Sequence, residues 1–466
     1  MNGNVILSAA LAAVSSVACA GLDFDAGGDL RIRQEIMDNV PGLPGGGLLN
    51  PSARGKYKNH IRFRPRVWGE VKGEAADGSK WRVYARLTDE FRWYVQPSHP
   101  RPYAFPDELI LDNLFLEAKE LFGGSVDLAV GRQDIYNLYG LDHVFVDGTP
   151  GDGSRTVYAD MARLGFRFGD FRRLDLFALY DCDDCDIRWG TDAGKHRSLS
   201  GLGARNAEPE MDDWGFGAIW SDRLGENVPC QALLMQKNTR AFRTGNVRHP
   251  GTQRELLGFK LVPQLDERWA LQLEAMGQVG RNDDGATLAG ASSYAGVNWK
   301  GRSDGGWTPF AKLGYHFMSG DDEAAREDGG RSAWDPMWAR GVNDSELFLY
   351  GTHYGAAWWS NMHYLKATLG FDFGGRHRLV GCCGPMFSAA QDGLGGGDGH
   401  FKGLLSQVRY DFPLITKDLI RKLTWGESEG RCEIFGHILA EFFNPGDYYE
   451  TDKPSWFVRW QVDFKF

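Results

Sequence analysis

Along most of the chain, apolar and polar side chains alternate one for one. Ile61, Phe63, Pro65, Val67, Gly69 and Val71 share one face of an extended segment, and Arg62, Arg64, Arg66, Trp68, Glu70 and Lys72 share the other. Trp81, Val83, Ala85 and Leu87 alternate with Arg82, Tyr84, Arg86 and Thr88, and Trp269, Leu271, Leu273, Ala275 and Val279 with Gln272, Glu274 and Gln278. The final stretch sets Trp456, Val458, Trp460, Val462, Phe464 and Phe466 against Arg459, Gln461, Asp463 and Lys465. Successive side chains of a strand point to opposite faces, so each segment has one oily and one wet surface. No segment shows a comparably long helical period.

The pattern predicts strands at 22–36, 59–73, 80–95, 108–121, 125–133, 157–168, 173–180, 212–220, 228–237, 254–262, 268–280, 288–299, 307–318, 361–373, 377–389, 400–412, 432–443 and 455–466, an even count of 18. The connections mostly alternate: 37–58 long, 74–79 short, 96–107 long, 122–124 short, 134–156 long, 169–172 short, 181–211 long, 221–227 short. A soluble sandwich also alternates in polarity, but it has no reason to sort its loops by parity. Long loops at one end and tight turns at the other mark an outer-membrane barrel. The expected fold is all-β, a transmembrane antiparallel up-and-down β-barrel of about 18 strands over 21–466, behind a signal peptide at 1–20.

Composition changes the picture by exclusion. Length alone, 466 residues, would suggest about three soluble domains. Mean hydropathy is −0.39, and no apolar run reaches the ~20 residues of a spanning helix. Disorder is excluded by 42% hydrophobic and 13% aromatic residues spread along the chain. A formal net charge of −10 argues against a protein that coats nucleic acid. Val5 to Val17 is apolar and ends in Ala18-Cys19-Ala20, an A-x-A-like cleavage site, although no Lys or Arg precedes it. Ser16-Val17-Ala18 fits a lipoprotein site poorly. Of seven cysteines, six remain once Cys19 is removed. Cys182 and Cys185 form a C-x-x-C and Cys382 and Cys383 are adjacent, but no second C-x-x-C or paired histidines complete a zinc site. Loop staples or idle thiols are the expectation.

The wet faces carry the candidate chemistry. Arg31 and Arg33, then Arg62, Arg64 and Arg66, Arg82 and Arg86, Arg132, and Arg163 and Arg167 fall on inward faces of the first strands. Each Arg facing lipid at the bilayer midplane would cost ~2–4 kcal/mol, so these faces must meet water. Side chains two apart stand ~7 Å from one another and adjacent strands lie ~4.8 Å apart, so the ladders should merge into one basic wall. A guanidinium fork pairs with carboxylate through two hydrogen bonds, which suits an anionic solute. Glu35, Glu70, Glu90 and Asp112 are the expected partners of some of these arginines. The plainer alternative is a lumen packed with Arg–Glu ladders and no selectivity.

The order of the short motifs resembles the alginate-export family of outer-membrane proteins. They are Gly131-Arg132-Gln133 at a strand end, Asp147-Gly148-Thr149-Pro150 with Asp152-Gly153-Ser154-Arg155-Thr156, Ser319-Gly320-Asp321-Asp322, Trp334-Asp335-Pro336-Met337, and Phe443-Asn444-Pro445-Gly446-Asp447-Tyr448-Tyr449 before a last strand ending in Phe466. The six mature cysteines and the 181–211 insert depart from the pattern. The resemblance implies a monomeric channel passing an anionic polysaccharide through an arginine-rich constriction, with a long eighth periplasmic turn as gate. Here that turn is 413–431, whose Leu414, Ile415, Leu419, Ile420 and Leu423 have amphipathic helical spacing beside Lys417, Arg421 and Lys422. A helix lying on the rim is the alternative.

The partners expected are outer-membrane lipid, an anionic glycan or other anionic solute, and periplasmic export machinery, with no nucleic acid and no cofactor. A general or sugar-uptake porin is the second function considered, and a barrel-embedded enzyme the third. No G-x-S-x-G, H-E-x-x-H or phosphate loop supports the enzyme. His316, His363 and His437 are single residues expected to face the lumen. Acidic loop clusters, Asp181, Asp183, Asp184 and Asp186 and then Asp321, Asp322, Glu323, Glu327 and Asp328, lack the spacing of an EF-hand and are expected to be solvated.

Overall fold

A computed structural model describes residues 20–39, 58–95, 103–104, 109–134, 143–145, 158–181, 188–189, 213–244, 247–303, 305–321, 330–338, 345–347, 360–374, 376–393, 395–416 and 432–466. The wall is built from β1 (Ala20–Asp38), β2 (Lys58–Glu74), β3 (Lys80–Asp89), β4 (Leu109–Glu120), β5 (Val126–Gln133), β6 (Ala159–Phe168), β7 (Arg172–Asp181), β8 (Asp213–Leu224) and β9 (Val228–Thr239). It continues through β10 (Thr252–Leu261), β11 (Trp269–Asn282), β12 (Thr287–Lys300), β13 (Trp307–Met318), β14 (Met362–Phe373), β15 (His377–Phe387), β16 (Phe401–Ile415), β17 (Glu433–Pro445) and β18 (Ser455–Lys465). Each of these strands pairs antiparallel with the next, and β1 pairs with β18, so the sheet closes. Closure leaves the wall without an open edge, which is what lets a sheet sit in lipid with its backbone groups satisfied. Among the described residues no helix is long and apolar enough to cross a membrane.

All eighteen expected segments are present, with ends shifted by a few residues. The turn expected at 413–431 is the exception in detail. Pro413 to Ile415 extend β16, and 417–431, the expected gate, lie outside the described residues, as do 1–19 and the motif at 147–156. Along the seam between first and last strands, Trp460 Nε1 donates to Gln34 Oε1 at 2.8 Å, across 426 positions of sequence.

The outer surface is apolar. Leu234 on β9 and Leu257 on β10 are cross-strand partners, 60% and 50% exposed on the isolated chain. Aromatic side chains gather near the short turns, where Trp307 stacks on Phe373 at 4.6 Å and Trp269 lies 6.3 Å from Trp299. Such girdles sit at the lipid–water interface. Leu234→Arg should therefore cost about 2–4 kcal/mol of unfolding stability in vesicles, measured by urea titration. No effect there would mean that this face does not meet lipid.

The inside differs from a uniformly wet bore. Eight methionines (Met37, Met161, Met235, Met276, Met318, Met337, Met362 and Met386) belong to one buried cluster with Phe145, Phe177, Trp334 and Trp338. Most of them stand on inward faces near the long-loop ends of the strands, where segments of two loops turn inward and bring apolar side chains with them. Unbranched, polarizable methionine fills the irregular space between a curved wall and a loop. The expectation of one wet face on every strand is corrected accordingly, since near the long-loop ends the inward positions of several strands are apolar.

Candidate functional site

Described residues of two loops lie inside the bore. The connection from β13 to β14 forms a strap fastened at two opposite places. Near its start, Gln278 of β11 donates to the Asp335 carbonyl at 2.6 Å and accepts from the Asp335 amide at 3.1 Å. Lys237 of β9 donates to the Met337 carbonyl at 2.8 Å, and Arg254 of β10 pairs with the Asp335 carboxylate at 3.1 Å. Burial alone would raise the Asp335 carboxyl, but the Arg254 and Lys237 charges outweigh it and hold it below the usual carboxylate range. Trp338 fits against Gly215 of β8, where a Cβ would collide with its ring.

Farther along, Ser345 Oγ and the amides of Glu346 and Leu347 all donate to the Glu441 carboxylate of β17, the amides at 2.8 and 3.3 Å. Glu346 pairs with Arg459 of β18 at 2.7 Å. In a closed ring of eighteen strands, β9 and β18 stand half a circumference apart, so the two described anchors of this connection lie on opposite sides of the bore. From the other side, the connection after β5 brings in His143, Val144 and Phe145. The Trp338 amide donates to the Val144 carbonyl at 3.0 Å, Trp334 Nε1 donates to the His143 carbonyl at 3.2 Å, and Phe145 stacks on Trp338 at 6.0 Å. His143 is held by Ser292 of β12 at 2.8 Å and by His316 of β13 at 3.0 Å. The two loops thus meet and knit inside the barrel.

The arginine wall stands beside these loops. Nine of the ten candidate arginines lie on inward faces, and β1–β2 register sets Arg31 opposite Arg64 and Arg33 opposite Arg62. Arg132 is the correction: it is the cross-strand partner of Asp160, itself opposite the exposed Tyr180, and so stands on the outer face while its neighbour Gln133 lines the interior. Gly131, whose positive φ of 127° and close approach to Leu114 and Phe115 exclude a side chain, ends the run that carries Arg132. The ladder is ion-paired to a degree the sequence did not suggest. Arg31 meets Glu90 at 3.4 Å, Arg33 meets Glu35 at 2.9 Å, and Arg62 bridges Glu35 at 3.3 Å and Glu90. Arg66 meets Asp29 at 2.8 Å, and Arg82 meets Glu117 at 3.1 Å and Glu70 at 3.5 Å. Arg86 holds Asp112 at 2.9 Å and Asp134 at 3.0 Å, and Arg132 holds Asp160 at 2.9 Å. Arg163 pairs with Asp175 at 3.0 Å and Arg167 with Asp127 at 2.7 Å.

Glu35, Glu70, Glu90 and Asp112 take the partner role expected of them. The other carboxylates, with Arg173 and Arg459, were not anticipated. Two local excesses of positive charge remain among the described residues. Arg163, Arg167 and Arg173 share only Asp127 and Asp175. Arg31, Arg33, Arg62 and Arg459 share Glu35, Glu90 and Glu346, and Arg64 stands beside them without an ion pair among the described residues. A cavity of about 380 Å³ opens on the same wall, bordered by Arg82, Arg86 and Arg163 with Tyr84, Phe115, Glu117 and Asp134. The Arg82 guanidinium lies over the Tyr84 and Phe115 rings at 5.7 and 5.2 Å.

Three further expectations are settled by position. His316 and His437 are buried on the inner side, where His437 Nε2 accepts from Arg459 Nε at 2.9 Å. His363 instead faces outward and bonds the Tyr315 hydroxyl at 2.6 Å, on the lipid side. Its neighbours Met362 and Tyr364 fill the apolar part of the interior, which inverts the polarity rule at that strand end. Cys230, Cys382, Cys383 and Cys432 are free thiols, so no staple forms among them, and Cys182 and Cys185 lie outside the described residues. Asp321 anchors its own loop by accepting from the amides of Ser332 and Ala333, the latter at 2.7 Å; Asp322 to Asp328 and Asp183, Asp184 and Asp186 are not described.

No family model and no curated protein matches the chain, so the resemblance to the alginate-export family gains no support. Solved structures do match in shape. The Pseudomonas aeruginosa protein OccK8 (OprE) superposes with a TM-score of 0.55 at 13% identity, over 96% of this chain and 99% of its own. OccD3 (OpdP) of the same organism gives 0.53 at 9% identity, over 97% and 93%, and OccK5 (OpdH) gives 0.52 at 10%, over 95% and 98%. These are outer-membrane porins. The chain therefore has the closed eighteen-stranded fold of an outer-membrane porin.

Proposed function

We propose that this barrel is a passive outer-membrane channel for small anionic solutes. The observation that carries the reading is the meeting of two inward loops beside a wall on which arginines outnumber the carboxylates that pair with them. Carboxylates fixed in the wall hold the guanidiniums in place, and the remaining positive charge favours entry of an anion. Contacts that are many and individually weak let it leave again, as conduction requires. A strap tied to both β9 and β18 favours a small solute over a polymer thread, which moves the reading from polysaccharide export to the porin alternative. Nothing in the described wall holds a nucleotide, so a concentration gradient is the driving force envisaged.

The test is conductance of the refolded chain in planar bilayers, with reversal potentials in KCl gradients and liposome swelling in carboxylates of increasing size. The expected result is preference for chloride over potassium and a sharp size limit. Cation preference would defeat the anionic assignment, and swelling by long uronate oligomers would restore the polysaccharide reading.

A further inference from the structure

We propose that Arg64 is the residue of this wall with which a permeating anion pairs, the other arginines of the ladder being committed to fixed carboxylates. The inference rests on the channel reading above and names the contact within it. Nine of the ten candidate arginines have a carboxylate at ion-pair distance, as described; among the described residues Arg64 has none. It is nonetheless 2% exposed, and its Nε and Nη1 nitrogens are enclosed without a hydrogen-bond partner. Arg31 stands opposite it on β1, and Arg62 and Arg66 flank it on the same face of β2; Asp29 and Glu90 are the nearby carboxylates, and each makes its ion pairs with these neighbours instead.

An enclosed guanidinium with no carboxylate at ion-pair distance is costly to a fold, because its desolvation is only partly repaid by more distant charges. Such a group is completed by an anion brought from outside. Arg31, Arg33 and Arg62 cannot serve in this way without surrendering Glu35 or Glu90. The ligand chemistry is that of a small anion, and two sources share it: the carboxylate of the solute and inorganic chloride. A carboxylate exploits the planar fork, whereas chloride needs only the charge.

The experiment uses the full refolded chain in planar bilayers, with KCl gradients to read chloride preference and potassium acetate to read block by a carboxylate. Arg64→Gln should lower the chloride-to-potassium permeability ratio, and the half-blocking acetate concentration should rise about tenfold, the loss of one charge-assisted contact. Its thermal unfolding midpoint should hold or rise, since an unpaired buried charge is removed. Loss of chloride preference alone would assign the contact to inorganic anions, and loss of acetate block alone to the solute's carboxylate; each supports the proposal.

Should Arg64→Gln fail to fold, Arg64→Lys keeps the charge and is expected to retain chloride preference with weakened acetate block. An Arg64→Gln channel with unchanged selectivity and block would overturn the assignment while leaving the channel reading intact. If the unsubstituted protein passes no current, the channel reading falls by itself. Calorimetric titration of the refolded barrel with potassium acetate then tests Arg64 directly, heat of binding that Arg64→Gln abolishes supporting the contact and its persistence ending it.

Discussion

The Glu35→Gln barrel should lose about 3–5 kcal/mol of unfolding stability. Glu35 is fully buried and meets Arg33 and His60 at 2.9 Å and Arg62 at 3.3 Å, with Arg459 at 3.9 Å. Glutamine has nearly the same shape, so packing survives while the charge goes. Three guanidiniums from β1, β2 and β18 would then face one another across the seam, with Glu90 and Glu346 as counter-charges among the described residues. Removing one partner of a buried network leaves the other charges uncompensated, which costs far more than an exposed ion pair contributes. Urea unfolding of the refolded chain in lipid vesicles, followed by tryptophan fluorescence, measures the difference. A loss under about 1 kcal/mol, the range of a solvent-exposed pair, would show that water carries these charges instead.

Glu441→Ala should free one end of the strap. That carboxylate accepts hydrogen bonds from Ser345 Oγ, from the Glu346 and Leu347 amides and from Gln407 Nε2, the last at 2.9 Å. A hydrogen bond to a charged acceptor contributes about 1.5–3 kcal/mol, so even two of the three made by the strap shift its docking by roughly 100-fold or more. Larger and noisier single-channel currents are expected, with new protease cleavage between Ser345 and Leu347. Currents and cleavage identical to those of the parent would remove the strap from the role of narrowing the bore.

The wall was legible from sequence because a strand in lipid obeys a simple rule. Outward Leu234, Leu257 and Phe259 and inward Arg62 and Arg64 differ in polarity by necessity, since nothing else satisfies both solvents. The rule fails where the interior itself is apolar. Met362 and Tyr364 point inward and His363 outward, so parity at the start of β14 reads backwards. Loops carry no period at all. Trp334-Asp335-Pro336-Met337 stood out as a motif, yet nothing local indicates that Asp335 is held by Gln278 and Arg254 or that Met337 reaches Lys237. The same limit hid most of the ion pairs. Asp160 and Asp127 lie 28 and 40 positions from Arg132 and Arg167, and only strand register brings them together. Register also left Arg64 as the exception in a ladder of otherwise similar residues.

The bond between Trp460 and Gln34 has a bearing on how such a molecule is made. Adjacent hairpins can zip as soon as their residues are available, but the ring cannot shut until its last strand is on hand to meet its first. Searching out so remote a mate is entropically slow, because a long intervening segment must be drawn together before any contact rewards it. Meanwhile both unmatched borders of the nascent sheet would be open to other chains. Biogenesis is therefore expected to need a holder that shields those borders, and a chain cut short before Ser455 should clump rather than insert.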